Sequence, residues 1–159
     1  MKFPFQHYRT PPSLVDGSEE LWRPEIPLHL IGTKSELFTY GLLDSGADGV
    51  LVSRNIANDI GIVLDESRRW HVRGVSGESL DVVLGHVELE LMDLEESVCW
   101  MLPVGVVTFD DPANDDIVLL GQTGFLQYFD TRLHGAKHLA ELVPNETFPN
   151  DKSLTATKG

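Results

Sequence analysis

The chain has 159 residues and a formal net charge of −13 at pH 7, with 25 acidic and 12 basic side chains. This length favours one domain with a real core, and the charge argues against nucleic acid and anionic membranes as partners, since both would repel an acidic surface. No run approaches the roughly 20 apolar residues of a membrane-spanning helix, the start lacks the apolar stretch of a signal peptide, and the single cysteine, Cys99, fits a reducing compartment, so the sequence predicts a cytoplasmic protein.

The first strands are predicted after a polar lead-in. Residues 1–21 carry three prolines and little periodicity, which predicts a loosely attached N-terminal arm. Loose alternation of apolar side chains over residues 26–31, closed by Gly32, predicts a strand and a turn. Residues 36–43 predict a second strand, because their apolar content rises toward its end.

A short helix is predicted after the next strand. Residues 49–52 predict that short strand, and Ser53 is a residue type that caps helix N-termini. Ile56 and Ile60 are four residues apart and therefore share one helix face. Gly61 is expected to end the helix.

A hairpin is predicted in the middle of the chain. Residues 62–64 and 70–75 predict strands, and the glycines within segment 74–78 are typical of a hairpin tip. Apolar and polar residues then alternate from Leu80 to Leu91, which predicts a long strand returning from that tip.

The C-terminal half predicts further strands and a second short helix. Residues 98–109 predict a strand pair or one bent strand, and residues 110–116 form an acidic loop. The apolar run 117–121 ends at Gly121. The earlier apolar run, which ends at Leu43, is likewise followed within three residues by a glycine, Gly46. Residues 122–129 then predict a short helix, and residues 138–143 a last short strand.

The whole pattern predicts an all-β chain with one core and one or two short helices. Its parts are an N-terminal arm at residues 1–21, one domain at residues 22–143, and a polar C-terminal tail at residues 144–159 that is expected to be disordered.

No metal site is predicted. The aspartates of the acidic loop lack the glycine and the terminal glutamate of an EF-hand, which favours a solvated loop over a Ca²⁺ site. His134 and His138 are four residues apart, as helical zinc ligands can be, but Gly135 between them weakens a helix and no third ligand is apparent. Both are therefore interpreted as surface histidines.

The most informative stretch is residues 42–48, Leu-Leu-Asp-Ser-Gly-Ala-Asp. A carboxylate at the end of an apolar strand is costly unless its charge is used, which marks Asp44 as a candidate catalytic acid. Gly46 allows a turn whose backbone amides point back at that acid, and Ser45 supplies a short hydroxyl. The chain contains no second Asp-Ser-Gly or Asp-Thr-Gly, so a site with two carboxylates needs a second copy of the chain.

Four blocks of the sequence resemble, in order, those of the retropepsin-like aspartic proteases, the single-lobe relatives of pepsin. They are residues 22–24 with the strand at 28–32, the acidic turn at 42–48, the predicted hairpin tip at 74–77, and the Leu-Leu-Gly block at 119–121. The resemblance spans residues 22–143.

This resemblance implies a closed or partly open, β-barrel-like acid protease fold and a homodimeric aspartic endopeptidase. Asp44 of each copy would meet its twin at a two-fold axis, and the pair would share one proton and activate a water. Such a mechanism needs no metal and no cofactor.

The resemblance also implies roles for the neighbouring residues. Ser45 would hydrogen-bond across the dimer axis, and Gly46 would accept a substrate amide through its carbonyl group. Ala47 and Asp48 would line the groove for an extended polypeptide. The hairpin tip would close over that polypeptide as an added strand. Its residues are Gly74, Val75, Ser76 and Gly77.

The chain departs from the retroviral members at two points. Those members have an arginine directly after the Leu-Gly pair, where it braces the acid at the position of Asp48, whereas this chain has Gln122. The retroviral chains also end in a short interface strand, whereas this one carries extra residues at both termini.

Other interpretations stay open at this point. Asp44 could be a capping or turn aspartate, and the chain could be a catalytically silent module of the same fold that dimerises or holds peptides. A third possibility is a protease that processes its own chain, with residues 1–21 or 144–159 as candidate cleavage segments.

Overall fold

The computed structural model describes residues 1–73, 77, 79–108 and 116–149. Within these ranges it is dominated by β-strands, which confirms the all-β prediction. The strands are β1 (Lys2–Pro4), β2 (Gln6–Arg9), β3 (Glu20–Arg23), β4 (Glu25–Ile31), β5 (Glu36–Leu43), β6 (Leu51–Ser53), β7 (Val63–Arg73), β8 (Ser79–Met92), β9 (Ser97–Val107), β10 (Val118–Leu120), β11 (Phe129–His134) and β12 (Leu139–Pro144). The helix α1 is Arg54–Ile60, and two 3₁₀ turns cover Leu126–Tyr128 and Gly135–Lys137.

Six strands close into a barrel, as expected. Their order is β4, β5, β10, β6, β9 and β8, and a further pairing of β8 with β4 completes the ring. At that closure Leu30 of β4 lies opposite Leu89 of β8, and both side chains are fully buried. Strand β7 lies outside the ring and pairs with β8 as a hairpin, with a bulge between Asp65 and Arg69.

The barrel interior is filled by side chains that alternate along the strands. In β4 the buried positions are Ile26, Leu28 and Leu30, which is the period of two that a half-buried strand requires. One end of the core is aromatic. The rings that pack there are Trp100, Phe125, Tyr128, Phe129 and Phe148.

The predicted helix after β6 is present with both of its predicted caps. The Ser53 side chain accepts a hydrogen bond from the Ile56 N–H, and Gly61 ends the helix in the left-handed conformation at φ 76°. Glycine is needed there because that conformation disfavours other residues, and a Cβ would also press on the Thr33 and Lys34 side chains.

The start of the chain differs from the loosely attached arm that was expected. Strand β1 pairs with β12, and Met1 and Phe3 are buried in the core. The Met1 amino group donates to the Glu96 carboxylate and to the Leu142 carbonyl oxygen. Single apolar residues in a proline-bearing segment leave no periodic signal, so the sequence did not reveal this pairing.

The second half of the N-terminal segment also packs onto the domain. Strands β2 and β3 form a hairpin, and Trp22 at its end is stacked between His7 and His138 with ring centroids 4.4 and 4.1 Å away. This hairpin therefore packs against the rest of the domain through Trp22. The domain boundaries at residues 22 and 143 stay predictions.

Two further differences concern the middle and the end of the chain. The strands expected at 62–64 and 70–75 belong, as far as residue 73, to the single bulged strand β7, and residues 74 and 75 lie outside the described ranges. The helix expected at 122–129 is reduced to one 3₁₀ turn before β11, because Gly124 adopts a positive φ of 91° and Phe125 points into the core. The C-terminal tail at residues 144–159 was expected to be disordered. In its described part Phe148 packs against the aromatic end of the core, and residues 150–159 lie outside the described ranges.

Candidate active site

The turn that follows β5 leaves the barrel where three strands meet. Strand β10 lies between β5 and β6, parallel to the first and antiparallel to the second. Leu42 and Leu43 at the end of β5 pair with Leu119 and Leu120 of β10. The N–H of Asp44 then donates to the Leu120 carbonyl oxygen at 3.1 Å, so the paired strand ends fix where this acid emerges.

The turn points backbone amides at its own acid, as the Asp-Ser-Gly sequence suggested. The Gly46 N–H donates to Oδ1 of Asp44 at 2.9 Å, and the Ala47 N–H donates to the Asp44 carbonyl oxygen at 3.2 Å. The Asp44 side chain is half-buried. The Gly46 N–H therefore fixes the direction of one carboxylate oxygen of Asp44.

Position 46 favours glycine because its backbone lies close to the carboxylate of Asp44. A Cβ built on Gly46 would lie 3.3 Å from Oδ1 of Asp44, which is tighter than most real Cβ contacts. A larger residue would therefore press on the carboxylate or displace the N–H that donates to it.

A second segment braces the turn from the side. Gly121 follows β10, and a Cβ built there would lie 2.6 Å from the Ala47 carbonyl oxygen and closer still to that of Gly49. The Gln122 N–H donates to the Ala47 carbonyl oxygen at 2.9 Å, and the Thr123 N–H donates to that of Asp48 at the same distance. The Leu-Leu-Gly block and the acidic turn, far apart in sequence, form one unit.

Gln122 contributes its side chain as well. Its Nε2 donates to the Ser45 carbonyl oxygen at 3.0 Å. The sequence had marked Gln122 only as a departure at the position of an arginine that braces the acid at position 48. The contact with Ser45 spans 77 residues of sequence, so no local signal could have revealed it.

The structure brings together the predicted site residues of the acidic turn. Ser45, Gly46 and Asp48 are exposed there, whereas Ala47 is half-buried. Gly77 lies between β7 and β8, exposed and with a positive φ of 87°, which is consistent with a hairpin tip. Gly74, Val75 and Ser76, the other residues of the predicted tip, lie outside the described residues.

Two further findings concern metals and membranes. Among the described residues, no group of three or more His, Cys, Asp or Glu side chains is arranged to hold a metal ion. The acidic loop at 110–116, where a Ca²⁺ site was considered, lies outside the described ranges except for Asp116. No helix in the described part of the chain is long and apolar enough to span a membrane.

Perturbed carboxyl groups support the structure elsewhere. Burial acts to raise the pKa of Asp93, but hydrogen bonds from the N–H groups of Glu95, Glu96 and Lys2 outweigh it and lower that pKa. A hydrogen bond with His134 lowers the pKa of Glu141.

The comparisons with known proteins found similarity among solved structures. No family model matches the chain, and no curated protein sequence matches it. Among solved structures, the chain is similar to a retropepsin-like aspartic protease from Rickettsia conorii, at 17% identity and a TM-score of 0.45 over 74% of this chain and 81% of that one. It is also similar to the EIAV protease complexed with an inhibitor, at 20% identity and a TM-score of 0.39 over 62% of this chain and 81% of that one.

With identities under 25% and TM-scores under 0.5, the likeness assigns no activity to this chain.

Proposed function

We propose that this protein is a retropepsin-like aspartic endopeptidase, which hydrolyses peptide bonds with a water activated by the Asp44 carboxylates of two copies of the chain. One observation carries the proposal. Asp44 stands half-buried at the end of a barrel strand, and its carboxylate accepts the N–H of Gly46 in a turn that the segment 121–123 braces.

The second acid comes from a second copy, because one chain contains one Asp-Ser-Gly turn. Two carboxylates about 3 Å apart cannot both ionise cheaply, so the pair holds one proton between them. That titration belongs to the pair and not to either residue. A homodimer is therefore part of the proposal, as is the cytoplasmic location that the sequence suggests.

The chemistry follows from the shared proton. The ionised carboxylate takes a proton from the bound water while the water oxygen attacks the peptide carbonyl carbon. The protonated carboxyl gives its proton to the carbonyl oxygen, which forms a neutral tetrahedral diol. Collapse of the diol breaks the C–N bond. The departing nitrogen takes the proton of the protonated carboxyl, while a diol hydroxyl gives its proton to the other carboxylate, so one proton remains on the pair as at the start.

The neighbouring residues would bind the substrate. An extended polypeptide would pair with the Gly46 carbonyl group and with the side of the turn that carries Ala47 and Asp48. Ser45 would join the two turns across the dimer axis. The segment between β7 and β8, where the sequence predicts a hairpin tip of Gly74, Val75, Ser76 and Gly77, would close over the polypeptide and exclude water.

The test is cleavage of an unfolded polypeptide between pH 3 and 7, with the Asp44→Asn variant as the matched control. We expect wild-type protein to cleave and the variant to lose at least about a thousandfold in rate, since the pair can no longer hold and exchange its proton. Equal cleavage by both proteins, or cleavage by neither at any pH, would overturn the proposal.

Self-processing is a second candidate, favoured by one observation. Leu14 and Val15 lie in the loop between β2 and β3 and are fully exposed, which makes this loop accessible to another molecule of the protease. Intact mass before and after an acid incubation tests this. A loss of mass that Asp44→Asn prevents would support it, and an unchanged mass in active protein would exclude it.

A further inference from the structure

We propose that Gln122 is a positioning residue for Asp44, and that it acts through the single peptide unit that joins Ser45 to Gly46. This inference rests on the proposed function, because the group that Gln122 orients is the proposed catalytic acid. It assigns a role to the residue that stands where the retroviral members have an arginine.

The geometry forms a chain of two hydrogen bonds through one rigid group. Nε2 of Gln122 donates to the Ser45 carbonyl oxygen at 3.0 Å, and the Gly46 N–H donates to Oδ1 of Asp44 at 2.9 Å. That carbonyl and that N–H belong to the same peptide unit, which is planar and holds them on opposite sides. A rotation that breaks one of the two hydrogen bonds therefore misaligns the other.

The two hydrogen bonds also strengthen each other electronically. A donor on the Ser45 carbonyl oxygen polarises the amide, so that the Gly46 N–H becomes a better donor to the carboxylate. Gln122 thus supports the orientation of Asp44 without touching it. Its carboxamide is neutral, so this support adds no charge beside an acid that must exchange a proton.

Gln122 itself is held in place by its backbone. Its N–H donates to the Ala47 carbonyl oxygen at 2.9 Å, and its carbonyl oxygen accepts the N–H of Gln127 at 3.0 Å. The preceding Gly121 lies so close to the acidic turn that a Cβ would collide with it. The side chain therefore starts from a fixed point, although its outer part is exposed.

Two substitutions separate the donor from the shape of the side chain. Gln122→Met keeps the length but has no donor, and Gln122→Glu has a donor only when its carboxyl is protonated, near an ordinary pKa of about 4.3. We expect Gln122→Met to lower kcat about 3- to 10-fold at every pH from 3 to 7, with KM within about twofold of wild type.

The Gln122→Glu variant gives the sharper signature. Relative to wild type at each pH, its kcat deficit should be about 3- to 10-fold above pH 5.5 and shrink to under about twofold near pH 3.5, where the protonated carboxyl again donates. The control is Gln127→Glu, which adds the same charge to the same segment from an exposed side chain and should leave kcat unchanged. Wild-type kcat in Gln122→Met, or a pH-independent deficit in Gln122→Glu, would overturn the inference.

A measurement without turnover keeps the inference separate from the proposed function. In ¹⁵N-labelled wild-type protein, the Gly46 amide proton should move with pH as the Asp44 carboxyl titrates, and Asp44→Asn should abolish that movement. Gln122→Met should shrink the movement by at least half, whereas Gln127→Glu should leave it intact. An unchanged Gly46 resonance in Gln122→Met defeats the inference even in an active protease, and a wild type that cleaves nothing defeats only the proposed function.

Discussion

The aromatic end of the core and the acidic turn are held by different forces. At the aromatic end, Trp100, Phe125, Phe129 and Phe148 pack ring against ring with centroids 5.3 to 5.8 Å apart. In the acidic turn the side chains are mostly exposed, and backbone hydrogen bonds supply the order.

This difference has consequences for what each region tolerates. Burial is non-directional, so the aromatic end depends on volume and resists small polar changes. The turn depends on the direction of a few N–H groups and on the absence of Cβ atoms at two glycines. We therefore expect substitutions at the aromatic end to change stability, and substitutions at the turn to change activity.

The largest expected effect is at the aromatic end. Phe129→Ala should lower the free energy of unfolding by about 3–5 kcal/mol, because it removes a buried ring that contacts three other rings. Urea unfolding measures the loss, and kcat per folded molecule should stay unchanged. Leu133→Ala on the same strand, 53% exposed, is the control and should cost under about 0.5 kcal/mol. A loss of under about 1 kcal/mol from Phe129→Ala would contradict the view that the aromatic end depends on buried volume.

The next effect lies where the turn meets its brace. Gly121→Ala should cost about 1–3 kcal/mol and remove most of the cleavage activity, because the new Cβ collides with the carbonyl groups of Ala47 and Gly49. Thermal unfolding and a peptide cleavage assay measure the two effects. Gly135→Ala, where a Cβ would meet nothing within 4 Å, should be neutral in both. Full activity in Gly121→Ala would show that the turn does not need this brace.

A smaller change at the turn should affect activity alone. Gly46→Ala should lower kcat about tenfold while the free energy of unfolding changes by under about 1 kcal/mol, because the added methyl group presses on the Asp44 carboxylate at a well-solvated site. Steady-state kinetics and urea unfolding on the same preparation test this. An equal kcat would mean that the carboxylate has room to move without loss.

The smallest expected effect comes from Asp93, a carboxylate that resembles Asp44 in its contacts but lies in the connection between β8 and β9. Asp93 accepts N–H groups from Lys2, Glu95 and Glu96, and its pKa is lowered. Since a lowered pKa stabilises the fold above the ordinary aspartate range and that contribution is lost as the pH falls through the folded-state pKa, Asp93→Asn should cost about 1 kcal/mol at pH 7 and progressively less in acid.

Unfolding free energies of wild type and Asp93→Asn from pH 7 down to pH 3 check this sign. The difference should shrink as the pH falls, and kcat should be unchanged throughout. A difference that grows toward acid pH would mean that the carboxylate does not act in its ionised form.

Local features of the fold could be predicted from the sequence. The Ser53 and Gly61 caps of α1 and the Gly46 N–H directed at Asp44 each depend on residues within a few positions of one another. Buried and more exposed side chains likewise alternate along β4, because successive residues of a strand point to opposite faces. This period of two can be recognised within one strand of the sequence.

Contacts between distant parts of the chain could not be predicted in the same way. Lys2 and Phe3 pair with a strand near residue 140, and Gln122 reaches Ser45 across 77 residues. The shortened helix after Gly121 shows the same limit, because the burial of Phe125 in the aromatic core overrides the local helical pattern.

The claim that one site is built from two chains can be tested by mixing. Wild-type and Asp44→Asn proteins are unfolded together, refolded at a fixed total concentration and assayed for cleavage as the wild-type fraction is varied. If each site needs Asp44 from both copies, activity should fall as the square of that fraction, to about a quarter at an equal mixture. A linear fall, to about half at an equal mixture, would show that a single chain carries a complete site and would contradict the account.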